Sequence, residues 1–421
     1  MNLAIPGFIF SFILALYVIN RGFNLGLSLL GAAILTAIFA GLTPLSIIKS
    51  IIEGLLDYNT IQLMILVGFI SGLGFIMKKT GALELMISSL NEIINSMRLL
   101  IVLIPVLIGT LNIPGGAILS APMIEKGAKK VNLSPENTNA VNIFFRHIGF
   151  FIYPLYPSMI LTGQLLEINI FEIIKFTFLV FLTGTITAFL FLTRGIIKKS
   201  DVNSQIENDD NKNHNNLYQS NVLGFLWGFL PVIIILVLAL IFKIPFHLAV
   251  IIGTVAALFQ NLNKNQKFFS AFVYRIQDFL FQGINYQLVL TIAGLMIFKY
   301  IIETAGIIEE LTQILLQSGI HLLLMVTIMG LITGYVSGIH VAATGILAPL
   351  FLPLLPSNSI AVYGALLFTA INIGYIISPL HLCLILSNDY FDVNTPSLYK
   401  RLFPPLAAML AVSILQVLIF A

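Results

Sequence analysis

Long apolar runs recur along this chain at short intervals, and they constrain its fold more than any single motif. They lie near residues 3–19, 25–42, 60–78, 99–127, 138–165, 170–193, 222–242, 246–260, 286–303, 320–352, 361–387 and 402–420. A helix needs about 20 largely apolar residues to cross the roughly 30 Å hydrocarbon layer. No run alternates apolar and polar residues at strand spacing, so helices and not a barrel must satisfy the backbone in lipid. Charged residues make up 9% of the 421, against about 25% in a soluble domain. That excludes a soluble enzyme and a secreted disulfide scaffold. A formal charge of +3 is too small to attract nucleic acid. The single cysteine, Cys383, excludes an intrachain disulfide and a cysteine cluster for metal. The expected class is an all-α integral membrane protein, multi-pass, in the cytoplasmic membrane. The first run has no basic residue before it and no small-residue cleavage site after it, which predicts a retained helix and not a signal peptide.

Residues 198–220, KKSDVNSQIENDDNKNHNNLYQS, interrupt the pattern. They are polar and asparagine-rich, the composition of a flexible linker, and they divide the chain into 1–197 and 221–421. The two parts share residues in register at a spacing of 225. Ile148, Gly149, Pro154, Leu155, Asn169 and Lys175 return as Ile373, Gly374, Pro379, Leu380, Asn394 and Lys400. Gln62 with Gln287 and Glu84 with Glu309 keep that spacing. Leucine matches are cheap in so apolar a chain. Glycine, proline, asparagine and lysine matches in fixed register point to duplication.

Charge then predicts orientation. If 99–127 and 320–352 each enter and leave on one side, each part has about five crossings plus one re-entrant hairpin. Most lysines and arginines, among them Lys126, Lys129, Lys130 and the linker lysines, then share one face. Lys49, Lys175, Lys243 and Lys299 occupy the other. The positive-inside rule makes the linker cytoplasmic and both termini external. Five is odd, so the second part runs upside down relative to the first, as an inverted repeat.

Inverted repeats hold substrate near the midplane, where helices are broken. Leu111-Asn112-Ile113-Pro114-Gly115-Gly116 breaks the first predicted hairpin and the stretch 333–340 breaks the second. Proline removes a backbone donor and glycine permits unusual torsions, so the helix must turn there. Two further breaks are expected where Gly149 precedes Pro154 and Gly374 precedes Pro379. Amides freed at a half-helix N-terminus attract an anion, and carbonyls freed at a C-terminus hold a cation such as Na⁺.

Arg146 falls inside a predicted span, where a charged arginine costs at least about 2.5–3.5 kcal/mol. No aspartate or glutamate sits in a predicted span at matching depth. Arg146 is therefore expected to face a watery cavity and an anionic substrate; alternatively its helix starts later and it snorkels to the rim. His147, His340 and His381 fall on the predicted breaks, where each can carry a coupled proton or donate to substrate. The plainer reading of each is a hydrogen-bonded interior histidine. On separate helices and at no ligand-type spacing, they are not expected to bind metal. No cofactor is expected beyond H⁺ or Na⁺ as coupling ion. The chain lacks HExxH, a buried aspartate pair and Gly-x-Ser-x-Gly, which argues against intramembrane proteolysis and against an enzyme generally.

With duplicated parts, hairpin tips and broken spans together, the chain resembles the ion transporter superfamily. That group holds gluconate permeases, divalent anion–sodium symporters, arsenite permeases and sodium–proton antiporters. Within it the likeness is closest to an uncharacterised prokaryotic integral membrane family of about this length. It rests on layout and on segments such as LNIPGGAILSAPMI (111–124) and SGIHVAATGILAPLF (337–351). By position, the resemblance implies that Asn112, Gly115, Gly116 and Ser120 form one binding tip and Ser337, Gly338, His340 and Thr344 the other. It implies that His147, Gly149, Asn372, Gly374 and Ser378 act at the unwound segments. The Ser-Asn-Thr hairpin signature of the dicarboxylate symporters is not present in either tip.

These residues predict a secondary active transporter that moves a small anion, an organic acid or oxyanion, by alternating access coupled to H⁺ or Na⁺. Arg146 and His381 join the implied substrate contacts. A cation–proton antiporter would need a buried carboxylate that the predicted spans do not supply. A non-transporting membrane enzyme or scaffold would not need paired broken helices. Many members of the superfamily are dimers, so a homodimer is a further expectation, with lipid and the anion as the other partners.

Overall fold

Polar capping residues decide where the helices of this apolar chain begin. Asn24, Thr43, Asp57, Ser134, Asn169, Asn285 and Asn394 each accept a hydrogen bond from an amide two or three residues on. Each satisfies a donor that the first turn would leave unpaired. The structure, a computed structural model, describes residues 4–94, 96–110, 117–194, 222–260, 268–317 and 319–421. The linker expected at 198–220 lies outside the described residues.

The first part contains α1 (Ala4–Asn20), α2 (Leu25–Phe39), α3 (Pro44–Leu56), α4 (Tyr58–Lys79) and α5 (Ala82–Ile93). It continues through α6 (Met97–Thr110), α7 (Ala117–Lys130), α8 (Pro135–Ile148), α9 (Pro157–Leu165) and α10 (Ile170–Leu192). The second part opens with α11 (Val222–Leu240), α12 (Phe246–Phe259), α13 (Phe268–Asp278), α14 (Tyr286–Thr304) and α15 (Ile307–Gln317). It ends with α16 (Leu322–Ser337), α17 (His340–Phe351), α18 (Ile360–Ile376), α19 (Leu382–Phe391) and α20 (Thr395–Phe420). No strand occurs among the described residues. Helices α4, α10, α11, α14 and α20 are long and apolar enough to cross a membrane. The protein is an all-helical, multi-pass membrane protein.

Three of the apolar runs are pairs of shorter helices. Run 138–165 is α8 and α9, and run 361–387 is α18 and α19. Run 320–352 divides into α16 and α17 at Gly338, which adopts a left-handed φ of 59°. Helix α6 ends at Thr110 and α7 begins at Ala117; the break expected at 111–116 lies outside the described residues. Helices α3, α5, α13 and α15 were not visible as apolar runs because their apolar residues keep to one face. In α5, for example, Ala82, Leu83, Met86 and Leu90 are buried while the opposite face is polar.

Packing repeats along the chain as the helix order does. Helix α6 packs on α8 and α16 on α18; α7 packs on α19 and α9 on α17. At Gly109 of α6, a side chain would overlap the carbonyl oxygen of Arg146 in α8. At Gly334 of α16, 225 residues on, it would overlap the carbonyl oxygen of Ile371 in α18. Glycine permits this backbone contact in both places.

The apolar core falls into two clusters. One gathers α1, α2, α4 and α5 with α11, α12, α14 and α15, and reaches onto α9, α16 and α17. The other gathers α6, α7, α8 and α10 with α19 and α20. Helix α18 contributes buried residues to both.

Candidate functional site

Three helix ends meet at the seam between the two clusters. Helix α8 stops at Ile148 and passes into a short 3₁₀ turn, Gly149–Phe151, before Pro157 opens α9. Helix α17 starts at His340, two residues after the left-handed Gly338. Helix α19 starts at Leu382, after Ser378-Pro379-Leu380-His381 separates it from α18. Proline and glycine at these points end one helix and leave the next with exposed N-terminal amides.

The ends enclose a cavity of about 510 Å³. Arg146, His147 and Phe150 form one wall, and Gly338, His340, Tyr375, His381 and Cys383 form another. Asn24 and Leu25 at the start of α2, with Asn285, Gln287 and Thr291 from the start of α14, close the side belonging to the first cluster. Arg146 is 3% exposed. It lies in the last turn of α8, two residues before the helix ends at Ile148, and stands in the cavity wall.

A chain of rings lines the cavity. His147 and His381 have ring centres 4.7 Å apart, Tyr375 and His381 4.1 Å, and His340 and Tyr375 4.8 Å. Tyr156 lies 4.6 Å from His340 and stacks on Phe150 at 3.7 Å. His147 Nδ1 is 2.6 Å from the Ile143 carbonyl and His381 Nδ1 is 3.4 Å from the Ile376 carbonyl. A carbonyl only accepts, so Nδ1 is the donor in each contact, and in the neutral ring Nε2 is then the acceptor. The donor atoms of His147, His381 and Cys383 lie within 4.8 Å of one another, and all three residues are buried.

The remaining site candidates make contacts within or between the surrounding helices. Ser120 donates to Asn142 Oδ1 (2.6 Å), and Asn142 Nδ2 donates to Ala117 O (3.0 Å) and Ser387 Oγ (2.9 Å). Ser387 donates to Asn139, and Asn139 to Asn388, at 2.6 and 2.7 Å. Thr344 shares a 2.8 Å hydrogen bond with Ser158. Asn372 donates to Phe368 O at 2.8 Å, and Ser378 to Tyr335 O at 2.6 Å. The Ser337 hydroxyl accepts from the Ile339 amide at 3.3 Å. Gly374 fits against the Leu331 carbonyl, while Gly149 has open space around it. Asn112, Gly115 and Gly116 lie outside the described residues.

Tyr156, Tyr375 and Cys383 were not singled out from the sequence. The signal for the cysteine was there, since His381-Leu382-Cys383 puts two ligand-type side chains one residue apart beside a break. At a spacing of 225, Ile371, Asn372, Tyr156 and Ser158 stand where Arg146, His147, His381 and Cys383 stand in the other part.

A family model described as "Protein of unknown function (DUF401)" matches residues 4–420. No curated protein sequence matches the chain. Among solved structures, the chain is similar to the crystal structure of the Alcanivorax borkumensis YdaH transporter, which is described as having an unusual topology. The TM-score is 0.59 and the identity 13%, over 88% of this chain and 87% of that one. At that identity the likeness is one of fold.

Proposed function

The chain belongs to the DUF401 family, and we propose that it is a secondary active transporter of a small anion, an organic acid or oxyanion, in the cytoplasmic membrane. One observation carries this reading: a charged arginine, 3% exposed, stands in the wall of a cavity bounded by broken helices. Burying a guanidinium in lipid is costly, and a bound anion offsets that cost with charge-assisted hydrogen bonds. The N-termini of α17 and α19 at the same cavity add backbone amides that favour negative charge. The fold likeness to a transporter supports the same reading.

The two-cluster core supports alternating access. The cluster built on α6–α8, α10, α19 and α20 moves against the other and carries the cavity with it. In this proposal the two parts are inverted repeats, with α6–α7 and α16–α17 as re-entrant hairpins and both termini outside. This is the architecture of the ion transporter superfamily. H⁺ or Na⁺ drives the cycle.

The test is uptake into proteoliposomes, preceded by a thermal-shift screen of purified protein against carboxylates, phosphonates, Na⁺ and pH. A ligand at a hundred times its Kd raises stability by about 2.7 kcal/mol. A stabilising anion should also be the one taken up faster than by empty liposomes. Uptake no faster than in empty liposomes across the whole panel overturns the proposal.

A further inference from the structure

We propose that His147, His381 and Cys383 bind one thiophilic divalent cation of the Zn²⁺ class, with a fourth coordination position open to the cavity. Three observations converge on this. The three donor atoms lie within 4.8 Å of one another. Bonds of about 2.0–2.3 Å in a tetrahedron set donors roughly 3.3–3.7 Å apart, so rotation of the side chains by about an ångström closes the set. Both imidazoles are also oriented as ligands are. Each turns Nδ1 to a backbone carbonyl, at Ile143 and Ile376, the contact that fixes the tautomer of metal-bound histidine and leaves Nε2 basic. Finally, His381 Nε2 is buried with no hydrogen-bond partner among the described residues. A buried acceptor left so is costly, and an ion between the three donors would satisfy it.

The donor set also selects the metal. Two neutral imidazoles and a thiolate suit Zn²⁺ and other soft or borderline ions, whereas Mg²⁺ and Ca²⁺ require oxygen ligands. Binding forms one sulfur–metal bond and breaks the Cys383 S–H bond, whose proton leaves to solvent. With three protein ligands and a cavity beyond, the fourth position takes water or one oxygen of an anion, as in open zinc sites. His381 comes from the break before α19, Cys383 from the first turn of α19 and His147 from the end of α8. The ion would therefore join the two parts of the chain. None of this depends on what the cavity transports.

Cys383 is the only thiol in the protein, so thiol labelling of the full chain in detergent reads this site alone. One equivalent of Zn²⁺ should slow maleimide labelling at least tenfold, chelator should restore it, and Mg²⁺ or Ca²⁺ should leave it unchanged. Co²⁺, which needs no access by a labelling reagent, should titrate at one equivalent. It should give intense visible bands of a tetrahedral site and a near-ultraviolet thiolate-to-cobalt band. His381→Gln should weaken Co²⁺ binding at least tenfold while the protein still labels and remains monodisperse. Co²⁺ that binds without a thiolate band, or Zn²⁺ that leaves labelling unchanged, overturns the assignment. Metal binding without anion uptake would overturn the transport reading alone, and uptake without metal binding would overturn only this one.

Discussion

The carbonyl oxygen of Arg146 fills the space that a side chain on Gly109 would need, so α6 and α8 touch backbone to backbone at the residue that reaches into the cavity. Gly334 and Ile371 make the same contact between α16 and α18. Gly109→Ala should force these helices apart and cost about 1–3 kcal/mol by overpacking, with Gly334→Ala equally damaging. Gly31→Ala in α2, which has no neighbour within 4 Å, should be neutral or slightly stabilising. Thermal melts of the three variants in one detergent check the contrast. Equal melting for Gly109→Ala and Gly31→Ala would refute it.

Arg146→Gln should weaken anion binding by about tenfold to a hundredfold, since a hydrogen bond to a charged group is worth about 1.5–3 kcal/mol. Arg146→Lys keeps the charge but not the planar fork and should lie between. Ligand-induced thermal shift measures affinity, and a single symmetric peak on size exclusion shows that the variants remain folded. Unchanged affinity in Arg146→Gln would mean that this residue does not hold the substrate.

Asn142 joins α7, α8 and α19 through Ser120, the Ala117 carbonyl and Ser387. Asn142→Leu leaves those groups buried without a partner, at a cost of about 1–3 kcal/mol. It does not line the cavity, so the melting temperature should fall while the anion Kd of the folded fraction stays the same. A changed Kd at unchanged melting temperature would be the opposite of this expectation.

At the start of α8, Glu136 accepts hydrogen bonds from its own amide and from the Ser134 hydroxyl, which hold its carboxyl below the ordinary value. A depressed folded-state pKa contributes stability that is present above the unfolded value and is lost as pH falls through the folded one. Glu136→Gln should therefore melt slightly earlier than the parent at pH 7, with the difference shrinking as pH drops below about 4. A gap that widens on acidification would contradict the assignment.

Much of the fold was legible because breaks in a lipid-embedded helix need proline or glycine, and the sequence places both. Gly149 with Pro154 and Gly338 lie where a helix ends, and Gly374 and Pro379 bracket the end of α18 at Ile376. Arg146, His147, His340 and His381 were legible as polar groups at those ends, and all four stand in the cavity wall. What sequence hides is which ends meet. His147 and His381 belong to different parts of the chain, so their contact follows from the packing of α19 on α8 and not from any spacing. For the same reason the hydrogen bond from Ser120 to Asn142, which ties α7 to α8, has no signature in the sequence. The amphipathic helices α3 and α5 escaped notice because a half-apolar surface gives no 20-residue run.

The positions 225 residues from Arg146, His147, His381 and Cys383 carry an isoleucine, an asparagine, a tyrosine and a serine. A strictly symmetric chain would have to bring a second guanidinium and a second pair of imidazoles into lipid, doubling the desolvation cost of insertion. With isoleucine, asparagine, tyrosine and serine at those positions, the chain carries that cost once.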